Sequence, residues 1–354
     1  MKKIRIGMVN WDASLSKDTY FGFYQLRSLS PAKYRTWVPF YADILGENKI
    51  DYHWRTVEEY ERELQYAVDA GIDYFAFVWY PTEGSLEHMQ RSPKDCSHRV
   101  HELKYARRLY EKSSLTDKIG MCAIMGAHPF ADCDIEELAD AFLKPYYEKI
   151  DGRPLLYIYN EYDEILIKRV HAVCKRRGIP TPFTVPFFNI PQNYNFPLAA
   201  PLTDAVSAYC VLSQKNLSSY KELCDLAIEN DCIRLRQGEK IVPMFSVGWD
   251  PSPRIDRPAP WNTREDGSST YAYVTYAPHP TEEDLINGAK AFAEHIKTNV
   301  KDKFAGHILS FAWNEFEEGG YVCPTYRCDG SIDESQVSAF AKAAEVLRSE
   351  LEEE

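Results

Sequence analysis

The chain has 354 residues, 45% of them hydrophobic, and a formal net charge of −12. That acidity argues against nucleic acid and anionic membrane surfaces, both of which are bound by basic patches, and is compatible with a neutral substrate. No run of about 18 apolar residues occurs, so no membrane span is expected, and the basic start Met1-Lys2-Lys3 is not followed by the apolar segment of a secretory leader.

The nine cysteines are odd in number and scattered. Many fall inside expected strands or helices, as Cys122, Cys210 and Cys224 do, which fits buried thiols in a reducing cytoplasm better than a disulfide framework. Cys323 and Cys328 are the one close pair, without a second pair at zinc-ligand spacing, so no zinc site is expected there, and nothing in the sequence demands a metal or organic cofactor. The aromatic load is high, with 24 Tyr, 17 Phe and 7 Trp. Most of these rings are expected in the core, and the surplus suits a carbohydrate cleft.

Residues 4–11 read as a first strand ending in Asn10 and Trp11, and an aromatic connection through Tyr20, Phe21, Phe23, Tyr24, Trp37 and Tyr41 follows. Thr56 with Glu59 three later has the form of a capping box, opening a helix to Ala70 that Gly71 stops. A second, nearly all-apolar strand over 74–80 exits into Trp79, Tyr80, Pro81 and Glu83. The alternation then repeats: helix 98–112, strand 119–126 with His128 just past its end, helix 134–150, strand 154–159 leading to Asn160 and Glu161. Helix 165–177 and strand 183–189, closing on Asn189, come next. A Pro- and Asn-rich connection leads to strand 205–211, helix 220–230 and strand 241–247, which runs into Trp249, Asp250 and Arg254. From there to about Pro280 no periodicity is evident, and a loop of that length is usually a lid or binding loop. Helix 282–298, strand 307–313 and a closing helix over 335–350 complete the pattern.

Eight apolar strands alternating with helices imply a parallel sheet covered on both faces. The economical arrangement is a single-domain (β/α)8 TIM barrel over residues 1–354, with long loops on the catalytic face. An open doubly wound sheet is the alternative, but no Gly-rich phosphate loop follows the first strand. In a barrel, function gathers where strands end. Those ends carry Trp11, Trp79, Tyr80, His128, Tyr209, Trp249, Asp250, Arg254, Trp313 and Asn314, the candidate substrate-binding set. Each has a plainer role open to it. Trp79 could plug the barrel top, His128 could be a structural hydrogen-bonder, Tyr209 could be core, and Arg254 could pair with Asp250 or Asp256.

The most telling stretch is 307–320, in which an apolar run breaks at Trp313 into Asn314, Glu315, Phe316, Glu317 and Glu318, closed by Gly319 and Gly320. Charges at the end of a buried strand lose hydration, a cost usually tolerated where they act on something. If the chain turns helically there, Glu315 and Glu318 share one face while Glu317 points elsewhere. Two carboxyls facing one space, one ionised and one protonated, are what glycoside hydrolysis uses. A solvated acidic loop is the plain alternative.

The segment Ala-Trp-Asn-Glu-Phe-Glu-Glu-Gly resembles the late-chain Asn-Glu-Trp-x-Glu-Gly motif of the glycoside hydrolase family 99-like proteins, with Phe316 where that motif has Trp. The group includes endo-α-mannosidases and a branch assigned to polysaccharide-biosynthesis glycosyltransferases. The resemblance implies a barrel hydrolase of α-glycosidic, mannosyl-type bonds with retention, the substrate's own 2-hydroxyl attacking the anomeric carbon. Glu315 would assist that hydroxyl; Glu318 would protonate the leaving oxygen and later activate water. It favours site roles for Trp79 and for the segment from Trp249 to Arg254, whereas His128 stands where the mannosidases carry an acid. A competing pair is Glu161 with Asp250, similar in placement to the acids of the large barrel-glycosidase clan, although that clan ends its seventh strand in Glu. A glycosyltransferase and a non-catalytic carbohydrate-binding protein on the same scaffold remain the alternative functions.

Overall fold

The structure is a computed structural model that describes residues 3–11, 19–81, 103–126, 129–159, 163–187, 202–211, 217–236, 238–273 and 276–352. Strands β1 (Arg5–Asn10), β2 (Tyr74–Val78), β3 (Gly120–Gly126), β4 (Arg153–Tyr159) and β5 (Phe183–Pro186) pair side by side in parallel. On the other side of β1 stand β7 (His307–Phe311) and then β6 (Met244–Ser246), also parallel. Arg5 faces His307 across one ladder, and Gly7 faces Tyr74 across the other.

The ring closes through a segment that the sequence reads as a full strand at 205–211. It is reduced to parallel bridges, Phe187 to Ser207 and Val206 to Ile241. Four backbone hydrogen bonds of 2.9–3.0 Å tie it to Thr184, Pro186 and the 240–242 segment. Ala205 and Ala208 contribute little strand preference, which leaves too few favourable pairs for a longer ladder. The result is a (β/α)8 barrel whose sixth staves are short.

Helices surround it: α1 (Tyr20–Leu29), α2 (Val57–Asp69), α3 (Tyr105–Lys112), α4 (Asp132–Phe142), α5 (Glu164–Arg177), α6 (Tyr220–Arg236), the short α7 (Ser252–Asp256), α8 (Glu282–His295) and α9 (Ser335–Leu351). The expected capping box opens α2: Thr56 Oγ1 accepts from the Glu59 amide, and Glu59 Oε2 accepts from the Thr56 amide at 2.7 Å. Gly71, at φ +77°, ends the turn after it.

Helix α4 is shorter than the expected 134–150 because Lys144-Pro145 cannot continue it. Residues Lys149–Ile150 instead fold back in an antiparallel pair on Arg153 and Pro154. The aromatic connection after β1 contains α1, capped by Thr19 Oγ1 accepting from the Gly22 amide. Gly22 and the crowding of rings mask this helix in the sequence, because neither favours helix formation. In the long loop after β6, α7 and two short 3₁₀ turns, Pro260–Asn262 and Thr270–Tyr273, replace the expected irregular chain.

The described residues bury one large apolar core inside and around the barrel. A small satellite of Trp11, Tyr80 and Leu103 sits apart from it, above the strand ends. No helix among the described residues is long and apolar enough to cross a membrane.

Candidate active site

After β7 the chain forms a miniature hairpin. Asn314–Glu315 pairs antiparallel with Gly320–Tyr321, and a single 3₁₀ turn, Phe316–Glu318, makes the tip. In a 3₁₀ turn, residues three apart eclipse one another. Glu315 and Glu318 accordingly face the same pocket, and Glu317 projects away from it. Gly319 is required here: its φ is +67°, and a Cβ would come within 2.5 Å of the Asp250 backbone nitrogen. The close approach carries a hydrogen bond of 2.8 Å from the Asp250 amide to the Glu318 carbonyl, which bolts the hairpin to the loop after β6.

The pocket encloses about 410 Å³ at the C-terminal ends of the strands. Glu315 is 3% exposed and Glu318 6%, so neither is a solvated loop acid. The Tyr209 hydroxyl donates to Glu315 Oε1 at 2.8 Å, and the Tyr271 hydroxyl donates to Glu318 Oε1 at 2.9 Å. Glu315 Oε2 is buried and has no hydrogen-bond partner among the described residues. Arg254 places Nη2 2.8 Å from Glu317 Oε1, Nη1 2.5 Å from Asn262 Oδ1, and Nη1 3.5 Å from Glu318 Oε1.

Burial pushes the Glu315 carboxyl well above the usual carboxylate range, and the charges of Glu318 and Glu317 add to the rise, against Arg254 and the Tyr209 hydroxyl. Burial raises Glu318 as well; Arg254 opposes that rise, Glu317 adds to it and the Tyr271 hydroxyl opposes it. The two acids share one small space, and their protons come off as those of a pair. Burial and the neighbouring carboxylates push the phenols of Tyr209 and Tyr271 well up, which keeps both as donors. Burial works against the Arg254 cation, but the charges of Glu317 and Glu318 outweigh it.

Of the residues picked from the sequence, Trp11, Tyr80, Tyr209, Trp249, Arg254, Glu315 and Glu318 come together at this pocket. Trp11 and Tyr80 bond to one another through indole N–H and phenol oxygen. Trp249 is buried, and its indole N–H has no partner among the described residues.

Four others are drawn elsewhere. Trp79 does not line the pocket: it packs under the helices with the Arg107 guanidinium 4.0 Å over its ring. Val78 and Tyr80 take the pocket side, and alternation along an extended chain sends the residue between them to the opposite face. Trp313 is also outside, fully buried, its indole N–H donating to Glu63 Oε1 at 2.7 Å. Asn314 is a clamp on the end of β1, its Oδ1 accepting from the Trp11 amide at 2.8 Å and its Nδ2 donating to the Trp11 carbonyl at 3.1 Å.

Asp250 stands one residue before the Pro251 N-cap of α7, its Oδ1 accepting from the Ser252 amide at 3.0 Å, and is not among the pocket residues. The expected pairing of Arg254 with Asp250 or Asp256 is replaced by Glu317, while Asp256 takes Tyr34 and Lys33. His128, Asn160, Glu161 and Asn189 lie outside the described residues. Sequence reasoning missed Phe21, Tyr159, Trp261, Asn262 and Tyr271, all of which line the pocket. Thr19 as a helix cap could have pointed to α1 and thus to Phe21. Tyr271 and Trp261 sit in aperiodic chain, where no spacing indicates direction.

By class, this is a (β/α)8 barrel with a buried acidic, aromatic pocket at its C-terminal face. Two solved structures of the family 99 endo-α-mannosidase from Bacteroides thetaiotaomicron share that fold. One matches at 14% identity over 89% of this chain and 84% of its own, with a TM-score of 0.50. The other, in complex with bis-tris-propane, matches at 13% identity over 89% and 91%, with a TM-score of 0.53. At such identity the likeness is one of fold. No family model matches the chain, and no curated protein does.

Proposed function

We propose that this protein is a glycoside hydrolase cleaving α-linked, mannosyl-type bonds of an oligo- or polysaccharide, with Glu315 and Glu318 as its working carboxylates. The observation that carries the reading is the pair itself. Two carboxyls almost withdrawn from water line one aromatic pocket, each held through a single oxygen by a tyrosine hydroxyl. The hydration they have lost is offset only when a ligand engages them.

Both are pushed up, which suits the two roles required. A general acid must keep its proton near neutrality, and a carboxylate of raised proton affinity is the stronger base once ionised. In this reading Glu315 Oε2, the unpartnered oxygen, takes the proton of the sugar 2-hydroxyl. The 2-oxygen then bonds to the anomeric carbon as the glycosidic bond breaks, and Glu318 gives its proton to the departing oxygen. Ionised Glu318 next takes a proton from water, whose oxygen opens the three-membered ring at the anomeric carbon. Glu315 returns its proton to the 2-oxygen, and two inversions leave the configuration retained.

Apolar faces at Trp11 and Tyr80 suit sugar rings, and the Trp249 indole N–H offers a donor to a hydroxyl. A sugar-nucleotide transferase would need cations or a backbone cradle for a diphosphate. Among the described pocket residues the single cation is Arg254, already engaged by Glu317 and Asn262, which favours hydrolysis.

The test is product release from a panel of α-linked oligosaccharides, run beside two variants. Glu318→Gln should lose about 10²–10⁴-fold on a poor leaving group and far less on one that needs no protonation. Glu315→Gln should be slow on both. Full activity in both variants on a confirmed substrate would sink the assignment.

A further inference from the structure

Glu317 occupies the position that the family motif leaves open, and it faces away from the pocket, yet it is fully buried. A buried carboxylate is retained only with partners, and those of Glu317 are informative. Its Oε1 accepts from Arg254 Nη2 at 2.8 Å, and its Oε2 accepts from Gln25 Nε2 at 2.7 Å. Gln25, on α1, is oriented in turn by the Tyr52 hydroxyl, which donates to Gln25 Oε1 at 2.6 Å. Arg254, on α7, is held from its other arm by Asn262 at 2.5 Å. Three separate elements thus converge to fix one guanidinium. The fixed position leaves Nη1 3.5 Å from Glu318 Oε1, a long ion pair beside the two short bonds to Glu317 and Asn262, with the rings of Trp11 and Trp261 flanking the guanidinium.

Resting on the assignment of Glu315 and Glu318 as the catalytic pair, we propose that Glu317 is a positioning residue. By anchoring Arg254 through its shorter bond it keeps the cation at the long end of its ion pair with Glu318, and so decides which of the two catalytic acids carries the shared proton. Among the described residues the titratable groups facing this centre are Arg254, Glu315, Glu318, Tyr209, Tyr271, Tyr159, Cys210 and, on the Glu317 side, Tyr52, and Arg254 is the one cation of this set. Without Glu317, Arg254 is released toward the nearest carboxylate, Glu318, and stabilises its ionised form. The protonation state that the mechanism needs, Glu318 protonated and Glu315 ionised, then becomes rarer. Loss of the Glu317 charge acts in the same direction on both acids, since that charge raises each of them.

The experiment is a pH titration of the glutamate δ-carbons by ¹³C NMR in the ligand-free full chain, comparing wild type, Glu317→Gln and Glu317→Asp. Glu318→Gln in the same background assigns its resonance. In Glu317→Gln the Glu318 carboxyl should titrate lower by about one pH unit or more, the size of effect an approaching cation produces. In turnover, the alkaline limb of the rate profile should move down by the same amount. The rate at neutral pH on an unactivated α-linked oligosaccharide should drop on the order of tenfold. A dinitrophenyl glycoside, which needs no proton from Glu318, should be far less affected. Glu317→Asp keeps the charge and should restore most of the profile; if the Gln variant does not fold, the Asp variant must still show a smaller shift in the same direction. An unchanged Glu318 titration with a lowered melting temperature would make Glu317 a structural residue and overturn the proposal. Because the titration needs no substrate, this failure is separable from failure of the hydrolase reading, which shows instead as active Glu315→Gln and Glu318→Gln.

Discussion

Replacing Trp79 by Ala separates the roles that the sequence and the structure give it. The ring is 1% exposed and lies outside the barrel wall, with the Arg107 guanidinium 4.0 Å above it. Truncating a tryptophan buried in this way costs about 3–5 kcal/mol, the transfer of the ring plus the cavity left behind. Arg107 stays tied to Glu111 at 2.8 Å and Glu137 at 2.7 Å, so it cannot collapse into the void, which places the cost at the upper part of that range. Unfolding entropy accumulates at about 2.1 cal/mol/K per residue, and over a chain of 354 residues the expected fall in Tm is about 5–7 °C. The assay is thermal and denaturant unfolding, with KM measured well below the lowered Tm. KM should stay at the wild-type value. An unchanged Tm with a raised KM would mean that Trp79 reaches the substrate, and the alternation argument for this strand end would be refuted.

Trp249→Phe takes away the indole N–H and one of two fused rings of a buried side chain, so KM should rise about 2–10-fold while Tm falls less than in Trp79→Ala; an unchanged KM would make Trp249 a core residue. Tyr209→Phe removes the hydroxyl that favours ionised Glu315, so the acid limb of the pH–rate profile should move to higher pH; a shift downward would contradict the bond seen at 2.8 Å. Asn314→Ala leaves the Trp11 amide without its acceptor and should cost about 1–3 kcal/mol in a denaturant titration. Burial lowers His279 to about 4 from an ordinary 6.5, so the folded chain binds this proton less readily than the unfolded chain. Its stabilising effect is complete above about pH 6.5 and is lost progressively as pH falls toward 4, and His279→Phe should remove that part of the acid sensitivity in melting experiments at stepped pH.

The sequence by itself determined the barrel, because the strands are continuous apolar runs that burial on both faces explains, alternating with helices such as the one that Gly71 stops. It also determined the acidic turn. The spacing of Glu315 and Glu318, closed by Gly319, left one side for the two acids and another for Glu317. What it could not determine was the direction of any single ring at a strand end. Trp79 and Tyr80 are neighbours of similar chemistry, and the pocket takes one while the helices take the other, because one step along an extended chain reverses the side chain. Trp313 went to Glu63 for the same reason. The partner of Arg254 was likewise beyond local reading. Asp250 and Asp256 are close in the chain, but Glu317, 63 residues away, is the carboxylate that folding buries against it. A buried cation pairs with whichever acid loses water alongside it, and that is decided only when β7, α1 and α7 close over the same space.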